Sequence, residues 1–156
     1  YQNLTKEELI RIESIANDVV LAGLQINKKV IPRAEAEKKY GMRIYQGGAV
    51  PGNKIRIVEI PGVDVEACGG IHCNNTIEVG PIKILSSKRI QDGIIRIELV
   101  SGKRAIEELQ KSENYLQNAS AVFSVTEEQL PKTCERFFRE WKDLRKEIEK
   151  LKQKPA

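Results

Sequence analysis

The residues best suited to chemistry lie together at positions 67–73, which read Ala-Cys-Gly-Gly-Ile-His-Cys. This stretch holds the only histidine of the chain and two of its three cysteines, Cys68 and Cys73. Cysteine and histidine are preferred zinc ligands, and the glycine pair leaves room for a thiolate and an imidazole to face one ion. The spacing therefore predicts that Cys68 and His72 contribute to a zinc site.

Two ligands do not complete such a site. Catalytic zinc takes three protein ligands and structural zinc takes four, and the chain has no second histidine. A small structural zinc knuckle that adds Cys73 is one alternative, although adjacent His72 and Cys73 would reach one ion only with strain. Another is that the cysteines are small buried hydrophobes and the histidine a hydrogen-bonded turn residue.

The elements that must position this motif are predicted from capping signals and apolar periodicity. Thr5 begins a capping box, and the apolar spacing after it predicts a helix over 5–22, with a second helix over 33–39. Because the strands after residue 43 follow one another without helices, they favour an antiparallel sheet in an α+β domain covering 1–102. The predicted strands are 29–31, 54–60, 63–67, 82–85 and 94–100, with a hairpin turn at 91–93.

Residues 103–156 return to helical spacing and predict a helical, coiled-coil-like segment. A first helix is expected over 103–119, followed by a short apolar break at Val122 and Phe123 and a new helix capped by Thr126. The last helix carries apolar residues at steps of four and three, which is a heptad seam. Its charged residues indicate a solvated face rather than an RNA-binding patch. The seam consists of Leu130, Cys134, Phe137, Trp141, Leu144, Ile148 and Leu151.

Composition limits the class of protein. With 156 residues, 40% hydrophobic and 31% charged, the chain is typical of a globular protein. No apolar run approaches the ~20 residues needed to span a bilayer, and three cysteines favour a reducing cytoplasm over a disulfide framework. The net charge of +4 permits contact with a phosphate backbone. Because the sequence opens on Tyr1 directly ahead of a helix signal, we expect a piece of a longer polypeptide.

Residues 43–100 resemble the zinc-bearing part of the editing domain of alanyl-tRNA synthetases, especially the archaeal form. The same domain type occurs in threonyl-tRNA synthetases and in free-standing deacylases, but the long heptad helix favours the synthetase. The resemblance is carried by Tyr45-Gln46-Gly47-Gly48, Val50-Pro51-Gly52, Ile55-Arg56-Ile57-Val58, Asp64-Val65-Glu66-Ala67-Cys68-Gly69-Gly70, His72-Cys73 and Arg89-Ile90-Gln91-Asp92-Gly93.

The resemblance implies that Cys68 and His72 are ligands of one zinc ion in a site that hydrolyses serine or glycine mischarged onto tRNA(Ala). Zinc would lower the pKa of a bound water toward ~7 and polarise the ester carbonyl. Gly69 and Gly70 would let the backbone approach the reacting centre. The glycine-rich loop Gln46, Gly47 and Gly48 is a candidate for holding the tRNA end, although a plain hairpin turn is an equal alternative.

The resemblance also implies what lies elsewhere in the parent protein. ATP-dependent activation of alanine, with magnesium, belongs to a separate catalytic domain, and the helical segment leads toward a homodimer. The family's remaining zinc ligands come from a His-X-X-X-His element that this chain lacks, so we expect the chain alone to bind zinc poorly and to be inactive. Ile71 stands where the family commonly has threonine, and Ile77 where it often has glycine.

Two further readings remain open. The chain could be a dimerisation or tRNA-docking module in which the Cys/His motif is a relic, or part of a free-standing trans-editing deacylase. Self-association through Phe137, Trp141 and Leu144 would favour the first. Zinc binding and deacylation on restoring the missing ligands would favour the editing domain.

Overall fold

The computed structural model describes residues 3–45, residue 48 and residues 51–152. They form two compact units, one up to Ile106 and one from Glu107 onward. Helices and antiparallel strands together confirm the predicted α+β class. The helices are α1 (Lys6–Leu21), α2 (Arg33–Tyr40), α3 (Lys103–Phe123) and α4 (Leu130–Lys152), and the strands are β1 (Asn27–Pro32), β2 (Lys54–Ile60), β3 (Asp64–Ala67), β4 (Ile82–Gln91) and β5 (Ile94–Ser101).

The core of the first unit lies on one face of a three-stranded antiparallel sheet, ordered β1-β2-β3. Ile55 and Ile57 of β2 are almost completely buried on this face, against Ala36 of α2 and Ile44. Because successive strand residues point to opposite faces, Arg56 between the two isoleucines belongs to the other face. That opposite face is the one on which the candidate site is built.

Helix α1 is tied to the segments that follow the candidate site. The Asn17 side chain accepts from the Ile82 N–H and donates to the Ile82 carbonyl, both at 2.8 Å. The buried hydroxyl of Thr76 donates to the Val19 carbonyl at 2.8 Å and accepts from the Leu24 N–H at 2.9 Å. Because both polar side chains are satisfied, they fix the end of α1 against the chain leading into β4.

Strands β4 and β5 form a separate two-stranded sheet that turns at Asp92 and Gly93, as the hairpin signal predicts. Strand β4 is longer than predicted, because it continues from Leu85 to Gln91. Residues 86–91 are largely polar and exposed, so their hydrophobic pattern carries no strand signal. Backbone pairing with β5 defines this part of the strand.

Two predicted helix starts hold, at Thr5 and Thr126, and one predicted helix end fails. Thr5 forms the predicted capping box with Glu8, and Thr126 forms a second one with Gln129. The predicted break at Val122 and Phe123 is wrong, because α3 continues through Phe123 and the chain turns at Ser124. Ser124 has a φ of 52°, and the Val125 N–H donates to the Ser120 carbonyl to close the turn. The spacing of apolar residues alone does not show at which residue α3 ends.

Helix α4 carries its apolar stripe on the surface. Among the described residues of this helix none is buried. Cys134, which the heptad pattern predicts to pack in a seam, is exposed in the single chain. The other exposed seam residues include Phe137, Trp141, Leu144, Ile148 and Leu151. In the part of the chain that the structure describes, no helix is long and apolar enough to cross a membrane.

Candidate metal centre

The predicted motif lies on a loop that begins where β3 ends. The Cys68 N–H donates to the Arg56 carbonyl at 3.1 Å, which continues the β2–β3 pairing by one residue beyond Ala67. From there the loop runs to the 3-10 helix Thr76–Val79. The sheet therefore fixes Cys68 directly, whereas the loop must position His72.

The side chains of Cys68 and His72 flank the space that Gly70 leaves open. A Cβ placed on Gly70 would lie 3.5 Å from the Cys68 sulfur and 3.6 Å from Cε1 of His72. Both side chains are half-buried. A thiol and an imidazole turned toward one small space are a donor pair suited to zinc. The residues therefore fit two positions of the predicted metal centre.

The guanidinium of Arg56 lies against the first half of this loop. Its Nη1 donates to the carbonyl oxygens of Cys68 and Gly70, each at 2.8 Å. The same nitrogen is 3.4 Å from Nδ1 of His72. That Nδ1 in turn lies 2.9 Å from the Gly70 carbonyl oxygen. One side chain of β2 thus contacts the backbone around both candidate ligands.

Lys28 of β1 binds the second half of the loop. Its ammonium donates to the carbonyls of His72 and Cys73 at 3.2 and 2.9 Å, and to Oδ1 of Asn74 at 2.6 Å. The Asn74 carbonyl accepts from the Ile26 N–H at 2.8 Å, which ties the end of the loop to the start of β1. Cations from two adjacent strands therefore bind carbonyls on either side of His72.

His72 borders an open cavity of about 120 Å³ on the same side of the sheet. Val58 and Ile60 supply apolar walls, and Asp64 and Glu66 supply carboxylates. Ile60 also lines a larger recess of about 480 Å³ against α1. The imidazole thus lies beside a space with apolar and acidic walls. The larger recess is lined by Ile12, Ile15, Ala16, Val19, Val20, Ile26, Ile60, Val63, Thr76, Val79 and Ile82.

The structural zinc knuckle that adds Cys73 is not supported. Within residues 3–45, 48 and 51–152, no three side chains of histidine, cysteine, aspartate or glutamate come together closely enough to hold a metal ion. Cys68 and His72 therefore stand as a pair. Ile71 between them is fully exposed, so the absence of a threonine hydroxyl there alters a solvent-facing position.

The predicted positioning residues are only partly described. Gln46 and Gly47 lie outside the described residues, and Gly48 is exposed with a φ of 101°. Gly69 is also exposed, and a Cβ added to it would meet no atom within 4 Å. The backbone at Gly69 is therefore open to an approaching molecule, while a role for the loop at 46–48 stays a prediction.

Sequence reasoning missed the two basic residues that hold the loop. Arg56 lies between buried isoleucines, so alternation along β2 places it on the face opposite the core, and the β2–β3 register brings it near the end of β3. That signal was readable in the sequence. Lys28 gave no comparable signal, because its role depends on the pairing of β1 with β2 and on the path of the loop.

Residues 55–98 match the family described as the threonyl and alanyl tRNA synthetase second additional domain. The matched range contains Arg56, Cys68 and His72, together with β2 to β5 up to Glu98. This central part of the chain is therefore similar to that class of synthetase-associated domain.

Nearly the whole chain is similar to alanine–tRNA ligases of archaea, which confirms the resemblance that the motifs indicate. It is 54% identical over 154 residues to the enzyme of Methanococcus aeolicus, covering 99% of this chain. It is 51% identical to that of Methanothermobacter thermautotrophicus and 49% to that of Thermococcus kodakarensis, each over 156 residues and 100% of this chain. In each case the chain spans 17% of the relative's length.

Proposed function

We propose that this chain contributes two zinc ligands, Cys68 and His72, to an editing site that hydrolyses mischarged tRNA(Ala). The observation that carries the proposal is that the Cys68 sulfur and Cε1 of His72 lie within 3.5 and 3.6 Å of the same point, the Cβ position of Gly70. This pair lies inside the segment that matches the synthetase-associated family. The remaining ligands come from outside this chain, since two protein ligands are fewer than a zinc site requires.

Zinc bound here would polarise the ester carbonyl of an aminoacyl-tRNA and activate water for its hydrolysis. The chain's own residues serve that reaction by position. Cys68 and His72 hold the ion, and Gly69 leaves the backbone open to the tRNA end. Val58 and Ile60 supply apolar walls of the adjoining cavity.

The wider assignment follows from the relatives. We propose that the complete protein charges tRNA(Ala) with alanine in the cytoplasm, using ATP and magnesium in a catalytic region outside this chain. Serine and glycine esters of tRNA(Ala) are then the editing substrates. Editing is needed because a binding pocket separates such small amino acids poorly, with only ~10–200-fold discrimination per methylene. The positive charge of the chain, +4, suits a tRNA partner.

The test uses a graft in which this chain replaces the matching segment of the Methanococcus aeolicus ligase, to which it is 54% identical. Hydrolysis of Ser-tRNA(Ala) and charging with alanine are measured for the graft and its Cys68→Ala, His72→Ala and Cys134→Ala variants. We expect Cys68→Ala and His72→Ala to lower hydrolysis on the order of 100-fold or more while charging persists. Cys134→Ala is the matched cysteine control and should hydrolyse normally. Undiminished hydrolysis by Cys68→Ala would refute the proposal.

A second function is favoured by the exposed apolar stripe on α4. We propose that this stripe pairs with the same stripe of another copy and contributes to a homodimer of the complete protein. Apolar residues at steps of three and four along 23 helical residues are the pattern of a coiled-coil seam. The concentration dependence of sedimentation, compared between Leu144→Gln in the stripe and Arg139→Gln away from it, tests this pairing.

A further inference from the structure

We propose that Arg56 is a positioning residue that fixes the tautomer of His72, with Lys28 holding the opposite end of the same loop. The consequence is that Nδ1 of His72 carries the proton and Nε2 is left with its lone pair exposed for a metal. This last step rests on the function proposed above. The tautomer itself does not, because it follows from contacts between residues of this chain.

The number of hydrogens on Arg56 Nη1 decides which atom of His72 is protonated. A terminal guanidinium nitrogen carries two hydrogens. The carbonyls of Cys68 and Gly70 accept one each, both at 2.8 Å. Nδ1 of His72, at 3.4 Å from the same nitrogen, therefore has no hydrogen to accept.

The remaining partner of Nδ1 is the Gly70 carbonyl, 2.9 Å away. A carbonyl oxygen only accepts, and it has two lone pairs. One lone pair receives the hydrogen from Arg56, and the other receives the Nδ1–H of His72. The position of this carbonyl thus selects the Nδ1–H tautomer, since the hydrogen bond made by one ring nitrogen determines the state of the other.

Arg56 is what holds the Gly70 carbonyl in that position. Gly70 lies in a loop and is itself exposed, so its peptide would otherwise be free to rotate. The guanidinium bridges this carbonyl to that of Cys68, and the Cys68 N–H is itself bound to the Arg56 carbonyl of β2. Arg56 therefore links the orientation of His72 to the backbone of β2, through its hydrogen bonds to the loop carbonyls.

Lys28 completes the arrangement from the other side. An ammonium group has three hydrogens, and Lys28 directs them to His72 O, Cys73 O and Asn74 Oδ1. The backbone immediately after the imidazole is thereby tied to β1. With Arg56 holding the residues before His72, the ring is positioned from both directions.

The test exploits the fact that His72 is the only histidine in the chain. Long-range proton–nitrogen NMR of the metal-free chain at about pH 8, where an ordinary histidine is neutral, gives one pair of ring nitrogen signals. We expect a pyrrole-type signal for Nδ1 and a pyridine-type signal for Nε2. In Arg56→Met, which keeps an apolar stem but has no donors, we expect both signals to move toward the average of the two tautomers. Arg96→Met, at an exposed arginine of β5, is the matched control and should leave both signals in place.

Amide spectra of each variant show whether the fold is retained. If Arg56→Met unfolds, the ring nitrogen signals of Lys28→Met provide a second test of how the loop positions His72. Because Asn74 and the helix beyond it still anchor the loop, Lys28→Met should retain the Nδ1–H tautomer with broader ring signals. A pyridine-type Nδ1 in the unmodified chain would overturn the proposal. So would an unchanged tautomer in a folded Arg56→Met variant.

Metal affinity gives an independent reading in the grafted ligase. Replacing a residue that orients a metal-ligating histidine typically costs about 10- to 100-fold in affinity, and we expect a loss in that range for zinc in Arg56→Met but not in Arg96→Met. Normal zinc affinity in Arg56→Met would overturn the positioning role. If the unmodified graft binds no zinc while its tautomer is Nδ1–H, the editing function fails and the positioning of His72 by Arg56 stands.

Discussion

The two units of the chain differ in where their apolar side chains lie. In the first unit Ile57 is 0% exposed, and the chain's own helix and strands cover it. In the second unit Ile148 is 51% exposed on a helix of equally regular apolar spacing. The first unit therefore has a core that its own elements cover, and this core supports the sheet beside the candidate site. The apolar stripe of α4 in the second unit is exposed in the single chain.

Replacing one isoleucine by alanine in each unit should show this difference most strongly, as a change in the free energy of unfolding. Ile57→Ala removes a fully buried side chain and should lower the free energy of unfolding by about 2–5 kcal/mol. Ile148→Ala at low protein concentration should change it by only about 0.5 kcal/mol in either direction, because the residue is exposed and alanine favours helices.

Urea unfolding followed by circular dichroism measures both values. The single tryptophan, Trp141, lies in α4, so its fluorescence reports the second unit separately. Equal losses of stability at positions 57 and 148 would mean that α4 is packed within one chain. That outcome would remove the contrast between the units.

Self-association should depend on one face of α4. Leu144→Gln changes the apolar stripe, whereas Arg139→Gln creates the same side chain away from it. If the stripe forms a dimer seam, burying Leu144 contributes about 1.5–3 kcal/mol per copy. The dimer dissociation constant should therefore rise at least about tenfold in Leu144→Gln.

Sedimentation over a range of concentrations provides that constant for both variants. Arg139→Gln should associate as the unmodified chain does. A chain that stays monomeric at all concentrations, or that dimerises equally well with Leu144→Gln, would argue against the stripe as the seam.

Within the first unit, substitutions at two glycines distinguish the stability cost of a strained backbone from the cost of a steric clash. Gly80 and Gly41 share nearly the same backbone angles, with φ of 69° and 75° and ψ of −175° and −173°. A Cβ on Gly80 would lie 2.8 Å from the Gly102 Cα, whereas one on Gly41 would meet nothing within 4 Å. Gly41→Ala should therefore cost about 1–3 kcal/mol for conformation alone, and Gly80→Ala should cost more.

Thermal and urea unfolding of the two alanine variants measure the difference. The additional loss at Gly80 reports the close approach between the segment after the loop that carries Cys68 and His72 and the start of α3. Equal losses at the two positions would show that the backbone there moves apart without cost.

Lowering the pH should change the free energy of unfolding by less than these substitutions do. Burial raises the pKa of Glu13, but hydrogen bonds from the Ile84 N–H and the Lys83 ammonium outweigh it, so the pKa lies below its ordinary value of 4.5. A carboxyl whose pKa is lower in the folded state stabilises the fold above its unfolded pKa. That stabilisation is lost as pH falls through the folded value.

Glu13→Gln should therefore be less stable than the unmodified chain above about pH 4.5, with a difference that shrinks at lower pH. Free energies of unfolding at several pH values measure it. A difference that grows on acidification would reverse the expected sign.

Much of the fold was accessible from sequence because local signals and global packing agree. The capping box at Thr5, the strand at 54–60 and the turn at Asp92 all follow from residue types at fixed spacing. The continuation of β4 to Gln91 did not, since its residues are polar and only pairing with β5 makes them a strand. The end of α3 depended on the left-handed conformation of Ser124, which no glycine signals.

The sequence predicts two candidate ligands for the site, but it does not predict the residues that hold their loop. Cys68 and His72 stand out by residue type and by the glycines between them. The roles of Arg56 and Lys28 arise from strand register and from a loop path that spans residues distant in sequence. Alternation along β2 indicates the face on which Arg56 lies, but the carbonyls that Arg56 and Lys28 contact are known only once the path of the loop is known.

Zinc stoichiometry by atomic absorption tests the central claim most directly, comparing the chain alone with the grafted ligase and its Cys68→Ala and Cys134→Ala variants. If Cys68 and His72 are part of a larger ligand set, the graft should hold one zinc per molecule at this site. It should lose that zinc in Cys68→Ala and keep it in Cys134→Ala, while the chain alone binds weakly. One tightly bound zinc in the chain alone, or zinc retained by the Cys68→Ala graft, would contradict the proposed site.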